Sequence, residues 1–236
     1  MEWEIIHIDE TDSTNRWLKE HGDTSRDSVV WADYQTAGRG CGTNRWESER
    51  GKNLLFSMLI HPTDIVVSEQ FRMTEAVSVA ICQTLQTYIN DKVEIKWPND
   101  IYVGDKKICG ILTENRLRGN TIKESIIGIG LNVNQTEFKS DAPNPVSIRQ
   151  LTGMETDLGE LLQAFLLAFD VTYHSKTTCS TYKKMLYRRG KYAFYEDKTS
   201  CFNAVLTDVL PDGRLLLVDK EGQERLYAFK EVQFII

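Results

Sequence analysis

The 236 residues are 41% hydrophobic and 26% charged, which allows one large domain or a mid-sized domain with a small appendage and argues against disorder. Lys and Arg number 28 against 34 Asp and Glu, and the net charge of −6 speaks against non-specific nucleic-acid binding and a polybasic membrane patch. No apolar run approaches the roughly 18 residues of a membrane span, Met1-Glu2-Trp3-Glu4 does not start a signal peptide, and the scattered Cys and His residues argue against a zinc site or disulfide framework; a reducing cytosol is the expected compartment.

In chain order, residues 3–8 read as a short strand that runs into a polar turn, Asp9 to Asn15. A short helix starts near Arg16 and stops at Gly22. Residues 28–34 are β-rich, a glycine-rich stretch covers 38–46, and 53–60 is again strand-like. Residues 68–89 have the apolar spacing of an amphipathic helix, through Phe71, Ala76, Val79, Ala80, Leu85 and Ile89. A strand over 93–96 meets a bend at Pro98-Asn99-Asp100, followed by a hairpin of 101–103 and 107–114 turning at Gly104-Asp105. Residues 121–133 form another strand, and 139–145 a loop. A clear helix is expected over 158–173 and a shorter one over 182–188. After Gly190 the character changes to short strands at 191–196, 202–210, 214–219 and 224–229, which predicts a small all-β barrel and a boundary at residue 190.

Four stretches could carry chemistry. Gly38, Gly40 and Gly42 let backbone amides turn toward an anion, with Arg39 and Arg45 adding charge; a mobile polar loop is the plain alternative. Lys96-Trp97-Pro98-Asn99-Asp100 presents polar groups beyond a rigid bend, although Trp97 could simply be core and Asp100 a turn cap. A hairpin would bring Lys107 back near Asp100, but a lysine is ordinarily a solvated surface residue. Gly128 and Gly130 bare one face of a strand, where a flat group could lie and Asn132 could read it; a close strand–helix contact is the alternative. Asp12-Ser13-Thr14-Asn15 reads first as a helix cap and second as a ligand site.

Taken together and in this order, these stretches resemble the biotin protein ligase family. The resemblance rests on Asp12 to Asn15, Gln35-Thr36-Ala37-Gly38-Arg39-Gly40, Gly51-Lys52-Asn53-Leu54, Lys96 to Ile101, Lys106 to Glu114 and Gly128-Ile129-Gly130-Leu131-Asn132-Val133-Asn134. It implies an enzyme that activates biotin with ATP and Mg2+ as biotinyl-5′-AMP and passes it to a lysine of a biotin carboxyl carrier protein, as in acetyl-CoA carboxylase. It implies Lys107, Arg39 and Asp100 as catalytic residues. Biotin would be bound by Ser13, Thr14, Asn15, Gln35, Gly38, Arg39, Gly40, Cys41, Lys107 and Gly110. Trp46, Asn99, Gly128, Gly130 and Asn132 fall on the nucleotide side, and no resident metal is implied. The family pattern has a second Arg where this chain has Cys41, so a less charged loop with a looser grip on the adenylate is expected.

The implied fold is α+β and class II synthetase-like: a mixed or antiparallel sheet with helices on one face, over 1–189, then an SH3-like barrel over 190–236. The chain begins at the catalytic domain's first strand, so a ligase without an N-terminal DNA-binding domain is expected, monomeric or weakly homodimeric, touching neither DNA nor membrane. Rival readings are a lipoate–protein ligase or octanoyltransferase of similar fold, and a non-catalytic biotin-binding module. A nucleic-acid role for the terminal barrel is disfavoured by its balanced charge.

Overall fold

The structure is a computed structural model that describes residues 2–23, 25–42, 44–63, 65–139 and 144–236. Thr43 of the glycine-rich stretch and residues 140–143 of the expected loop lie outside the described residues.

Seven strands form the main sheet, in the order β1-β2-β3-β7-β6-β5-β4. They are β1 (Glu4–Thr11), β2 (Ser28–Gln35), β3 (Leu54–Ile60), β4 (Val93–Lys96), β5 (Asp100–Val103), β6 (Lys106–Arg118) and β7 (Thr121–Leu131). β1 and β2 pair in parallel around the crossover helix α1 (Thr14–His21), and the other neighbours pair antiparallel. The polar turn expected from Asp9 begins later, because strand pairing continues to Thr11↔Gln35.

The central strands are largely buried, and both faces of the sheet carry helices, one of them only in part. On one face Val29, Phe56, Met58, Ile127 and Ile129 pack against α2 (Phe71–Gln86) and α4 (Leu158–His174). Phe56 meets Phe165 edge-on at 5.2 Å, and the Thr172 hydroxyl ties α4 to α2 through the Ala76 carbonyl. The opposite face carries α1, with Leu18 against Val30, Leu59 and Ile126. The alternation along each strand thus separates a face that holds the fold together from a face that is only half covered.

Two short helices complete the domain: α3 (Ile148–Thr152), closed by a Ser147/Gln150 capping box, and α5 (Thr178–Lys184). The latter lies earlier than residues 182–188, because Leu186 and Tyr187 instead pair with Ile95 as an extension of the sheet.

The terminal unit is a five-stranded antiparallel sheet ordered β11-β10-β9-β8-β12. Its strands are β8 (Tyr192–Asp197), β9 (Cys201–Val209), β10 (Leu215–Asp219), β11 (Glu224–Tyr227) and β12 (Val232–Phe234). No ladder joins β11 to β12 among the described residues. The unit is fastened to the main sheet through the turn after β4, where the Trp97 indole donates to the Gly213 carbonyl at 2.8 Å; the Tyr182 hydroxyl of α5 braces the same turn by donating to the Pro98 carbonyl at 2.9 Å. Among the described residues no helix is long and apolar enough to cross a membrane.

Candidate active site

A cleft of ≈ 1120 Å³ opens on the half-covered face, between α1, the glycine-rich stretch and the terminal unit. Its floor is set by strand register. Gly110 pairs with Gly130, Leu112 with Gly128 and Glu114 with Ile126, so these side chains share one face. The bare glycines serve close approach rather than turning. A Cβ on Gly128 would lie 2.2 Å from Asn15 Oδ1, and one on Gly130 2.4 Å from the Trp46 indole.

One end of the floor is polar. Ser13 sits at the N-cap of α1 but its side chain makes no capping bond. The Thr14 amide and hydroxyl both donate to Gln35 Oε1, at 2.8 and 3.1 Å. Ser57 is fully buried in β3, where its one hydroxyl proton faces two acceptors, Thr14 Oγ1 and Asn15 Oδ1. The Asn15 amide donates to Glu114 Oε2 at 2.9 Å, and Lys19 pairs with Glu114 Oε1 at 2.8 Å. Arg39 stands 3.8 Å from the same oxygen. Glu114 therefore joins α1, β6 and the glycine-rich stretch.

Burial opposes ionisation of Glu114, but hydrogen bonds from Lys19 and Asn15 and the charges of Lys19 and Arg39 outweigh it and hold the carboxyl below the ordinary glutamate pKa. Stabilisation from this group is full above the unfolded value and is lost as pH falls through the lower folded value. Glu114→Gln should melt below the parent at neutral pH, with the gap closing on acidification. Thermal melts across the acid range check this; parallel curves would exclude the linkage.

Lys107 reaches the same face through an irregularity in β6. Ile101 pairs with Cys109 while Tyr102 pairs with Lys107, so Ile108 is an extra residue. Ile108 and Cys109 are consecutive yet both in the core, and the alternation is reset. Without this bulge Lys107 would point away from Gly110; with it, Lys107 Nζ lies 3.3 Å from where a Gly110 Cβ would stand. Lys107 Nζ pairs with Asp100 at 2.7 Å and lies 5.6 Å from the Trp46 ring centroid. The Trp46 indole nitrogen is buried with no partner. Asn99 donates to Cys41 Sγ at 3.3 Å and to the Ile111 carbonyl, tying the turn to the glycine-rich stretch.

That stretch is a small hairpin. Arg39 and Arg45 bridge antiparallel, Gly40 N donates to Asn44 O at 2.8 Å and Trp46 N to Gly38 O at 3.0 Å. Around it the charge inverts relative to the chain as a whole. Arg39, Arg45, Lys96, Lys107, Lys139 and Lys230 line the cleft against one carboxylate, Asp100, among the described residues. Lys96 lies 5.2 and 5.3 Å from the ring centroids of Tyr102 and Phe234, and burial lowers its pKa.

Of the residues expected at the site, Ser13, Thr14, Asn15, Gln35, Arg39, Gly40, Cys41, Trp46, Asn99, Asp100, Lys107, Gly110, Gly128 and Gly130 line this one cleft. Gly38 and Asn132 do not. Gly38 packs under the Trp46 backbone, where a Cβ would meet the carbonyl at 2.4 Å. Asn132 is buried; its amide donates to the Val146 carbonyl at 3.1 Å and its backbone N–H to Ile108 at 2.9 Å, which braces the bulge. Ser57 and Lys230 were not anticipated, and Lys96 and Glu114, inside stretches singled out from the sequence, had no role assigned to them. Ser57 is a lone hydroxyl in an otherwise apolar strand, a signal that was readable; Lys230 is brought in by tertiary structure alone.

The sequence profile of the Biotin/lipoate A/B protein ligase family matches residues 8–132. The Bifunctional ligase/repressor BirA of Bacillus subtilis is 30% identical over 235 residues, covering 95% of this chain and 72% of that protein. The Biotin–[acetyl-CoA-carboxylase] ligase of Paracoccus denitrificans is 30% identical over 165 residues, 67% of this chain and 68% of that one. Among solved structures, the biotin protein ligase from Aquifex aeolicus in complex with biotin and ATP superposes with a TM-score of 0.82 at 25% identity, covering 98% of this chain and 99% of that one. With its glycine floor, its bulged lysine and these relatives, the chain belongs to the biotin/lipoate A/B protein ligase family.

Proposed function

We propose that this chain is a biotin–protein ligase, with residues 1–189 as the catalytic domain. Biotin's carboxylate attacks the α-phosphorus of ATP, the α–β anhydride bond breaks and pyrophosphate leaves. The amine of a carrier-protein lysine then attacks the acyl carbon of biotinyl-5′-AMP, forming the amide and releasing AMP. A lysine of a biotin carboxyl carrier protein is the acceptor in this reading, and cytosol supplies the ATP.

The observation that carries it is Lys107, held by a bulge on a bare glycine floor between a polar network and a cluster of cations. The Thr14, Asn15, Gln35 and Ser57 network suits the ureido group, which both donates and accepts. The glycine floor of Gly110, Gly128 and Gly130 admits flat groups, and Trp46 brings a buried N–H without a partner. The cations suit a triphosphate. Lys107 holds the carboxylate and the α-phosphate together, offsetting the repulsion between two anions and the charge that grows in both steps. Arg39 assists from the hairpin. Asp100 orients Lys107 and is placed to take the proton that the carrier amine loses. In this reading magnesium enters with the triphosphate.

The test is pyrophosphate release with ATP and magnesium in the presence of biotin or of lipoate. Biotin-dependent release is expected. Release with lipoate alone would transfer the reading to the lipoate branch of the family, and none with either acid would leave a binding module.

A further inference from the structure

Glu114 stands beyond the polar end of the glycine floor, two residues along β6 from Leu112 and on the same face. An ionised carboxylate accepts hydrogen bonds and never donates. Lys19 takes Glu114 Oε1 at 2.8 Å, and the Asn15 amide takes Oε2 at 2.9 Å. Only the nitrogen end of the Asn15 amide can face such a partner. The oxygen end is thereby turned to the buried Ser57 hydroxyl. A neutral side chain at position 114 would leave that choice open.

The direction set at Glu114 can be followed to the cleft. Gln35 Oε1 accepts from both the amide and the hydroxyl of Thr14, so the Gln35 NH2 keeps its protons for other partners. Thr14 has then spent its hydroxyl proton. The single proton of Ser57 must serve either Thr14 Oγ1 or Asn15 Oδ1, and the other oxygen is left wanting a donor. Thr14, Asn15 and Gln35 all line the cleft. They offer it one spare donor and one spare acceptor, the pattern that a group carrying both N–H and C=O completes.

We propose that Glu114 is a positioning residue for the acid substrate: by fixing the Asn15 amide it reserves the spare acceptor for a ureido N–H. The proposal rests on the biotin reading above. It goes beyond that reading by placing part of the control of acid recognition in a carboxylate that acts through Asn15.

The test turns the amide over. In Glu114→Gln the new side chain has one oxygen, and the Lys19 ammonium claims it, with Arg39 3.8 Å away on the same side. The glutamine NH2 then faces Asn15 and demands its oxygen. Titration calorimetry with biotin alone should show binding about tenfold weaker, the worth of one hydrogen bond, with the KM for ATP in pyrophosphate release nearly unchanged. In Lys19→Met/Glu114→Gln no ammonium competes for the glutamine oxygen, so biotin affinity should largely return. In an Asn15→Ala background, Glu114→Gln should cost less than about twofold, since its route to the ligand is gone. Every protein is assayed at a temperature where thermal melts show it folded. Equal biotin affinity in parent and Glu114→Gln, or a loss that adds in full to that of Asn15→Ala, would overturn the inference and leave the biotin reading standing. A parent that binds no biotin would overturn both.

Discussion

Replacing Lys107 with alanine is expected to lower biotin-dependent pyrophosphate release by about a hundred- to a thousandfold, the usual cost of losing one pre-positioned group from a transition state. The bulge is what makes the effect large. Lys107 is held by Asp100 at 2.7 Å beside the Trp46 ring, so its ammonium is oriented before any ligand arrives. The loss should fall mainly on turnover, because both steps build charge where this cation stands. Folding should survive, since the side chain is partly exposed and its strand is anchored by Ile108 and Cys109 in the core. A single-turnover assay with radiolabelled pyrophosphate measures the rate, and thermal melting controls for stability. A variant that stays folded and nearly as active would remove Lys107 from the chemistry.

Gly128→Ala should be almost as damaging, and at the other end of the site. The new methyl would stand 2.2 Å from Asn15 Oδ1, so the asparagine must move. It cannot move alone, because Glu114 holds its amide nitrogen and Ser57 donates to its oxygen. A displacement of about 1 Å in such a network can cost about a hundredfold. That loss should appear in the KM for biotin, with the KM for ATP close to the parent value. Steady-state kinetics with each substrate varied in turn distinguishes the cases. Equal losses for both substrates would show a general disturbance of the sheet instead.

The elements that could be read in advance were those whose pattern is local. The strand at 28–35 carries the β-rich run Val29 to Ala32, the strand at 54–60 is apolar except for Ser57, and the helix at 158–174 repeats Leu161, Leu162, Phe165, Leu166 and Phe169. The elements that escaped were short or depended on distant partners. α3 has five residues and β12 three, too few for periodicity, although Ser147 and Gln150 did carry a capping signal. The helix expected at 182–188 was misplaced because Tyr182, Leu186 and Tyr187 are buried by two different devices, one helical and one a strand bridge to Ile95.

The site divides in the same way. Glycine spacing and the Lys-Trp-Pro-Asn-Asp stretch announced where a ligand could lie. The bulge at Ile108 was invisible, because nothing in Lys-Lys-Ile-Cys-Gly says which residue the ladder will skip. Asn132 looked like a reader of the ligand and is a brace for that bulge. Lys230 meets Gly42 across most of the length of the chain, and only folding shows it.

The division of labour between the two faces of the sheet also bears on how such an enzyme can change its preferences. By strand register Ser57, Leu112, Gly128 and Gly130 lie on the cleft side of the sheet, while the side chains of Phe56, Met58, Ile111, Ile127 and Ile129 belong to the core on the other side. Alternate positions on the same strands thus answer to separate demands. Mutational drift on the cleft side can reshape the pocket for a different acid while the helix-packed side keeps the fold standing. A library confined to those cleft-facing positions should yield many soluble proteins of altered selectivity, whereas the same diversity shifted by one residue should yield mostly aggregates.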